Sequence, residues 1–132
     1  MDVNKLNISK IETYLDSILG GTVSDNTFFG GVITKEMIGD EWSDMVMVEM
    51  PNGITDFDAY GQGTVLVWLY ARPLTSGRKN VPIMSKLEKK LNDVISNVVS
   101  SEYNITRRLT YTDYNTDIDW HCNVVELVIT VF

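Results

Sequence analysis

Residues 111–122, YTDYNTDIDWHC, place three aspartates, an asparagine, the only histidine and the only cysteine of the chain within twelve positions. Such a density suits two kinds of chemistry: a shell of oxygens around a hard cation, or a thiol activated by a neighbouring imidazole. Read from Asp113, the order D-x-N-x-D is how a calcium-binding EF-hand loop begins. The pattern then breaks, because Ile118 stands where that loop needs glycine for its sharp turn and Val124 where a bidentate glutamate would close the shell. The flanks read as strands rather than helices, so the segment is read as a solvated hairpin turn, in which Asn and Asp hydrogen-bond their own backbone. His121 and Cys122 are adjacent, and neighbours on a strand point to opposite faces, so they form no dyad. One histidine with turn aspartates is a poor zinc set and would hold at most a weak surface cation. Cys122, lacking any partner for a disulfide, is read as a small buried apolar residue.

The glycine pair of GQG at Gly61 and Gly63 precedes a strand, whereas a phosphate cradle lies between a strand and a helix, so it is read as a turn or bulge. Eighteen acids leave room for two to converge as an acid–base pair, yet nothing singles out a pair. The expectation is a non-enzymatic protein with no catalytic residues, no metal site and no cofactor.

At 132 residues with 44% hydrophobic content, the chain has the size and core of one domain, spanning 1–132. The longest apolar run, residues 65–71 (VLVWLYA), is far short of the roughly 20 needed to cross a bilayer as a helix, so no membrane segment is expected. The opening MDVNKLNISK lacks the basic start and apolar stretch of a secretory signal. The acceptor-like triplets at Asn7 and Asn104 are therefore read as coincidences of composition. Net charge is -7 and the densest basic cluster is Lys86, Lys89 and Lys90 on a predicted helix, which disfavours tight binding to nucleic acid.

Ile8, Ile11, Leu15 and Ile18 recur at helical spacing and Gly20-Gly21 closes the segment, which predicts a first amphipathic helix. Ser9, with Glu12 three residues on, has the capping-box spacing, while Asn4 and Asn7 are alternative caps. Residues 28–33 (FFGGVI) and 45–50 (MVMVEM) read as short strands, the second ending at Pro51-Asn52-Gly53. TKEMIGDEWSD between them has no clear period. TDFDAYGQG reads as a loop or hairpin arm whose glycines permit a bulge.

The strongest strand is 64–72 (TVLVWLYAR), with Val65, Val67, Leu69 and Ala71 on one face and Leu66, Trp68 and Tyr70 on the other. A strand apolar on both faces is expected to be central, with helices on one side and a second layer or partner subunit on the other. Met84, Leu87, Leu91, Val94, Ile95 and Val98 form one stripe of a second helix over 81–98. Residues 103–112 alternate through Tyr103, Ile105, Arg107, Leu109 and Tyr111 as a strand. In the final strand, 120–132, the apolar residues change parity, and a bulge near Val124 would reconcile them. The fold class is α+β, a mostly antiparallel sheet packed with two α-helices in the order αβββαββ. Of the tryptophans, Trp68 is read as core, Trp42 as a partly exposed contact, and Trp120 as either.

The N-terminal helix with Ile11, Leu15 and Ile18, the strand GTVLVWLYAR, the short connector into MSKLEKKLNDVISNV and the closing YNITRRLTYTDYNTDIDWHCNVVELVITVF together resemble the tail-completion or tail-terminator proteins of long-tailed bacteriophages. The resemblance lies in size, order and pattern over most of the chain, and residues 34–53 do not follow it. It implies a structural protein of the virion, assembled in the cytoplasm of the host bacterium. Such a protein forms a homo-oligomeric ring, commonly a hexamer, that caps the tail tube and joins it to the head-side neck, with the tail-tube protein and a neck protein as partners. A closed ring needs one patch to meet a different patch on the next copy. Trp42, Phe57, Tyr60, Tyr70, Arg72 and Trp120 are the candidate interface residues. An acidic lumen would let DNA pass without sticking. Two other classes stay open: another head–tail joining or minor tail protein, and a small enzyme or ligand-binding α+β domain, which would need a deep pocket with convergent polar groups.

Overall fold

In the computed structural model, which describes residues 2–132, the chain forms two helices and one six-stranded, mostly antiparallel sheet. After a 3₁₀ turn at Val3–Leu6 come α1 (Ile8–Leu19), β1 (Thr27–Phe29), β2 (Asp44–Glu49), β3 (Ile54–Asp56), β4 (Gly61–Ala71), α2 (Val81–Ser96), β5 (Tyr103–Asn115) and β6 (Trp120–Val131). The sequence reading of α+β holds at this level. β3 falls where the sequence reads as a loop or a hairpin arm, and it is a hairpin arm, so four strands rather than three precede the second helix. Strands lie in the order β1-β2-β4-β6-β5, β3 pairs with the first residues of β4, and only β1 and β2 run parallel.

Asn7 is the N-cap of α1, though its side chain makes no capping bond, and Gly21 takes the left-handed conformation just beyond the helix. Ile11, Leu15 and Leu19 are buried from it. Asn80 caps α2 by accepting from the Ile83 amide, with Pro82 in the first turn where no amide is needed. Both helices press their apolar stripes onto one face of the sheet, against Val46, Val48, Val65, Val67, Leu69, Leu127 and Ile129. Each such side chain, fully buried, stabilises the fold by about 1.5–3 kcal/mol.

β4 is central, as its two apolar faces predict. Its even-numbered residues belong to a second, smaller cluster on the far side, where Ile33, Ile38, Trp42 and Ile118 cover Met45, Tyr70, Trp120 and Cys122. This second layer covers only one end of the sheet, because it consists of one loop and one turn. Toward the other end of the same face, Leu66, Trp68 and Val128 are half-buried. Trp68, read as core, thus sits at the margin of the second cluster.

Three local expectations are corrected. The strand over 28–33 ends at Phe29, because Gly30 and Gly31 take positive φ and turn the chain away. Gly61 and Gly63 lie inside β4 in unbroken register with β3 and β6, and form neither turn nor bulge. A Cβ at Gly63 would stand 2.6 Å from the Gly53 carbonyl oxygen, so the position is glycine because two backbones meet there.

The third concerns β6. Its register with β4 runs unbroken from Gly61↔Val131 to Ala71↔His121, with no bulge near Val124. The parity change arises because its first half buries even-numbered residues in the small cluster while its second half buries odd-numbered residues under the helices. The bulge is instead in β5, between Arg107 and Leu109. Tyr103 and Ile105 therefore face the helices, whereas Leu109 and Tyr111, in register with Glu126 and Val124, face the opposite side.

Candidate functional site

The chemistry-bearing segment 111–122 is a hairpin: β5 runs to Asn115, a turn follows, and β6 starts at Trp120. Asn115 accepts from the Asp117 amide at 3.0 Å, Asp113 from the Tyr114 amide at 2.8 Å, and Asp119 takes φ 59°. These are the local side-chain-to-backbone bonds expected of a turn. Ile118 is buried, anchoring the turn to the sheet rather than opening a cation loop. Among the described residues, no three His, Cys, Asp or Glu side chains group as metal ligands.

His121 lies on the helix face, its Nε2 3.1 Å from the Gly77 carbonyl and its ring edge-on to Tyr114. Cys122 lies on the opposite face, where burial, aided by the charge of Asp113, pushes its thiol up to about 12. A thiol held protonated in this way is a poor nucleophile.

The six candidate interface residues divide by position. Tyr70 and Trp120 are 3% and 4% exposed, packed in the small cluster, so within one chain they are core rather than surface. The register explains this: both lie on the covered end of the sheet face, and the Tyr70 hydroxyl accepts from the Asn115 amide. Burial raises the Tyr70 pKa, with the Asn115 bond acting the other way.

Arg72 is a clamp. Its Nε donates to the Trp42 carbonyl at 2.6 Å, its Nη2 to the Gly39 carbonyl at 2.8 Å, and its guanidinium lies over Trp120 at 4.8 Å. It fastens the irregular loop that carries the half-buried Trp42, whose ring packs on Gly39 and tilts against Phe28. Phe57 and Tyr60 are the exposed pair, at 48% and 36%, stacked with ring centroids 5.1 Å apart at the tip of the β3–β4 hairpin. Asp58 between them takes φ 68°, and its amide is held by the Asp56 carboxylate at 2.8 Å.

The surface missed from sequence is the open half of the sheet face together with the edge strand β5. Leu109 and Tyr111 are 51% and 43% exposed there, across Glu126 and Val124 of β6 from half-buried Leu66 and Trp68. Arg108, the bulged residue, reaches Glu126 at 3.7 Å on the same face. Arg107 points the other way, to Asn92 at 2.6 Å and Glu88 at 4.0 Å on α2. The available signal was the Arg107-Arg108 pair interrupting an alternating strand.

A groove of about 560 Å³ runs between α1 and α2, lined by Tyr14, Ile18, Lys90, Asp93, Val94 and Val98. No described helix is long and apolar enough to cross a membrane. No family model matches the chain, and no curated protein is similar enough to count as a relative.

Proposed function

We propose that the chain is a non-enzymatic structural subunit that assembles as a homo-oligomeric ring, in the manner of tail-completion or tail-terminator proteins of long-tailed bacteriophages. In that role it caps the tail tube and joins it to the head-side neck, within the virion. One observation carries this reading: both α-helices pack on one face of the sheet, while its other face is half covered and bears exposed Leu109 and Tyr111 on the outer strand β5 and half-buried Leu66 and Trp68 on the central strand β4. Exposed apolar residues that are contiguous on a sheet mark contact surfaces. The hairpin tip with Phe57 and Tyr60 lies on the other flank, so the chain offers two different patches, as a closed ring requires. Light scattering coupled to size exclusion over a wide concentration range tests this. A discrete assembly of about six subunits, or a concentration-dependent approach to one, supports the ring; a strict monomer at millimolar concentration refutes it.

A small ligand-binding domain is the second reading, favoured by the groove between α1 and α2, where Lys90 and Asp93 border an apolar floor. Screening for thermal stabilisation by small amphipathic metabolites, each with an apolar body and one charged group, tests it, and no shift across the screen with a ring in solution excludes it.

A further inference from the structure

We infer that the outer edge of β5 in one copy pairs, antiparallel, with the β3 flank of the next copy, so that the sheets of neighbouring subunits continue into one another. The inference rests on the ring reading and names its contact.

β5 ends the sheet on one side and is 13 residues long, more than twice an ordinary strand. Its inner side is paired with β6, so its outward amides and carbonyls form a template for another strand. Proteins blunt such edges with charge, brevity or bulges. Here the bulge and Arg107-Arg108 interrupt the edge once, and beyond them Leu109 and Tyr111 stand exposed beside it. Exposed apolar side chains next to open backbone groups fit an occupant that is itself a strand.

A second copy supplies that strand on the opposite flank. Among the described strands β3 pairs with β4 alone, and its backbone is three strand spacings, about 14 Å, from that of β5, so although Thr55, Phe57 and Arg108 border one shallow depression on the sheet face, the outward backbone edges of β3 and β5 point away from each other. The flanks differ in charge. Residues 50–60 carry Asp56 and Asp58 and no base, whereas β5 carries Arg107 and Arg108 against Asp113 alone. The faces also agree: Asp56 shares the helix side with Arg107, through its register with Gly61 and that of Arg107 with Leu127.

Strand direction decides the pairing. β3 and β6 run one way and β4 and β5 the other, so a neighbour placed beside β5 with its sheet in the same orientation brings β3 in antiparallel. One flank meeting a different flank is a head-to-tail contact, which closes into a ring when the rotation allows.

The test uses two surface variants of the full chain, each first shown by circular dichroism to keep the secondary structure of the wild type and to unfold cooperatively. Leu109→Lys with Tyr111→Lys blocks the β5 edge, and Thr55→Lys with Phe57→Lys blocks the β3 flank; all four positions are exposed. In sedimentation velocity, the wild type is expected to assemble, each variant alone to stay monomeric, and an equimolar mixture to give a discrete 1:1 heterodimer through the one intact pair of surfaces. Variants that still assemble like the wild type overturn the edge contact while leaving the ring standing. Monomeric variants that give no heterodimer on mixing overturn the head-to-tail pairing. A wild type that is monomeric at every concentration overturns the ring and this contact with it.

Discussion

Replacing Arg72 with methionine removes its guanidinium while keeping most of its apolar stem, and isolates what the clamp does. Two hydrogen bonds from a charged donor, to the carbonyls of Trp42 and Gly39, are lost. Each such bond contributes about 1.5–3 kcal/mol when sheltered, and the stacking over Trp120 about 0.5–1 kcal/mol. Arg72 is half-buried and the freed carbonyls can turn to water, so the expected loss is at the lower end, about 2–4 kcal/mol. Urea unfolding followed by circular dichroism reads this as a lower midpoint with an unchanged slope. Hydrogen exchange locates it, because peptides covering 34–43 should exchange faster while those from β4 and β6 keep their protection relative to global stability. A loss below about 0.5 kcal/mol with unchanged exchange in 34–43 would refute the view that Arg72 holds this loop on the sheet.

Gly63→Ala should cost about 1–3 kcal/mol, since its Cβ would press on the Gly53 carbonyl and the Ile54 side chain, each at 2.6 Å; a thermal melt reads this, and an unchanged melt would contradict the close approach. Cys122 yields a pH dependence of definite sign. Its thiol is held up at about 12 in the fold against an ordinary 9.0, so the folded state keeps the proton longer than the unfolded chain. Its contribution is complete below about pH 9 and is lost as pH rises toward 12; the stability difference between wild type and Cys122→Ala should shrink over that window. The same thiol should resist maleimide at neutral pH until the protein is unfolded, and rapid labelling of the native protein would show that the small cluster opens.

The two helices, the central strand and the hairpin at 111–122 were legible because each depends on short-range pattern. A 3.6-residue stripe, a run apolar on both faces and a cluster of Asn and Asp carry their own physics. The β6 parity change was visible too, but its cause was not. A regular strand that buries one face at its start and the other at its end has the same sequence signature as a bulged one, and only the unbroken pairing with β4 separates them. The converse happened in β5, where an even alternation through Tyr111 concealed the bulge that carries Leu109 and Tyr111 to the other face.

Among the candidate contact residues, sequence could pick out aromatic type but not depth. Trp120 and Tyr70 are buried because the loop 33–43 folds over them, an event set by the reach of Arg72 to two carbonyls more than 29 positions earlier in the chain. Phe57 and Tyr60 are exposed because their hairpin projects beyond the last row of the sheet, where none of the other described elements covers it. The sequence by itself determined an acidic α+β domain with two amphipathic helices and a doubly apolar central strand, since these follow from composition and local periodicity. Tertiary structure alone decided which half of the sheet stays open and which strand ends it, because register and loop placement are set by contacts between residues far apart in the chain.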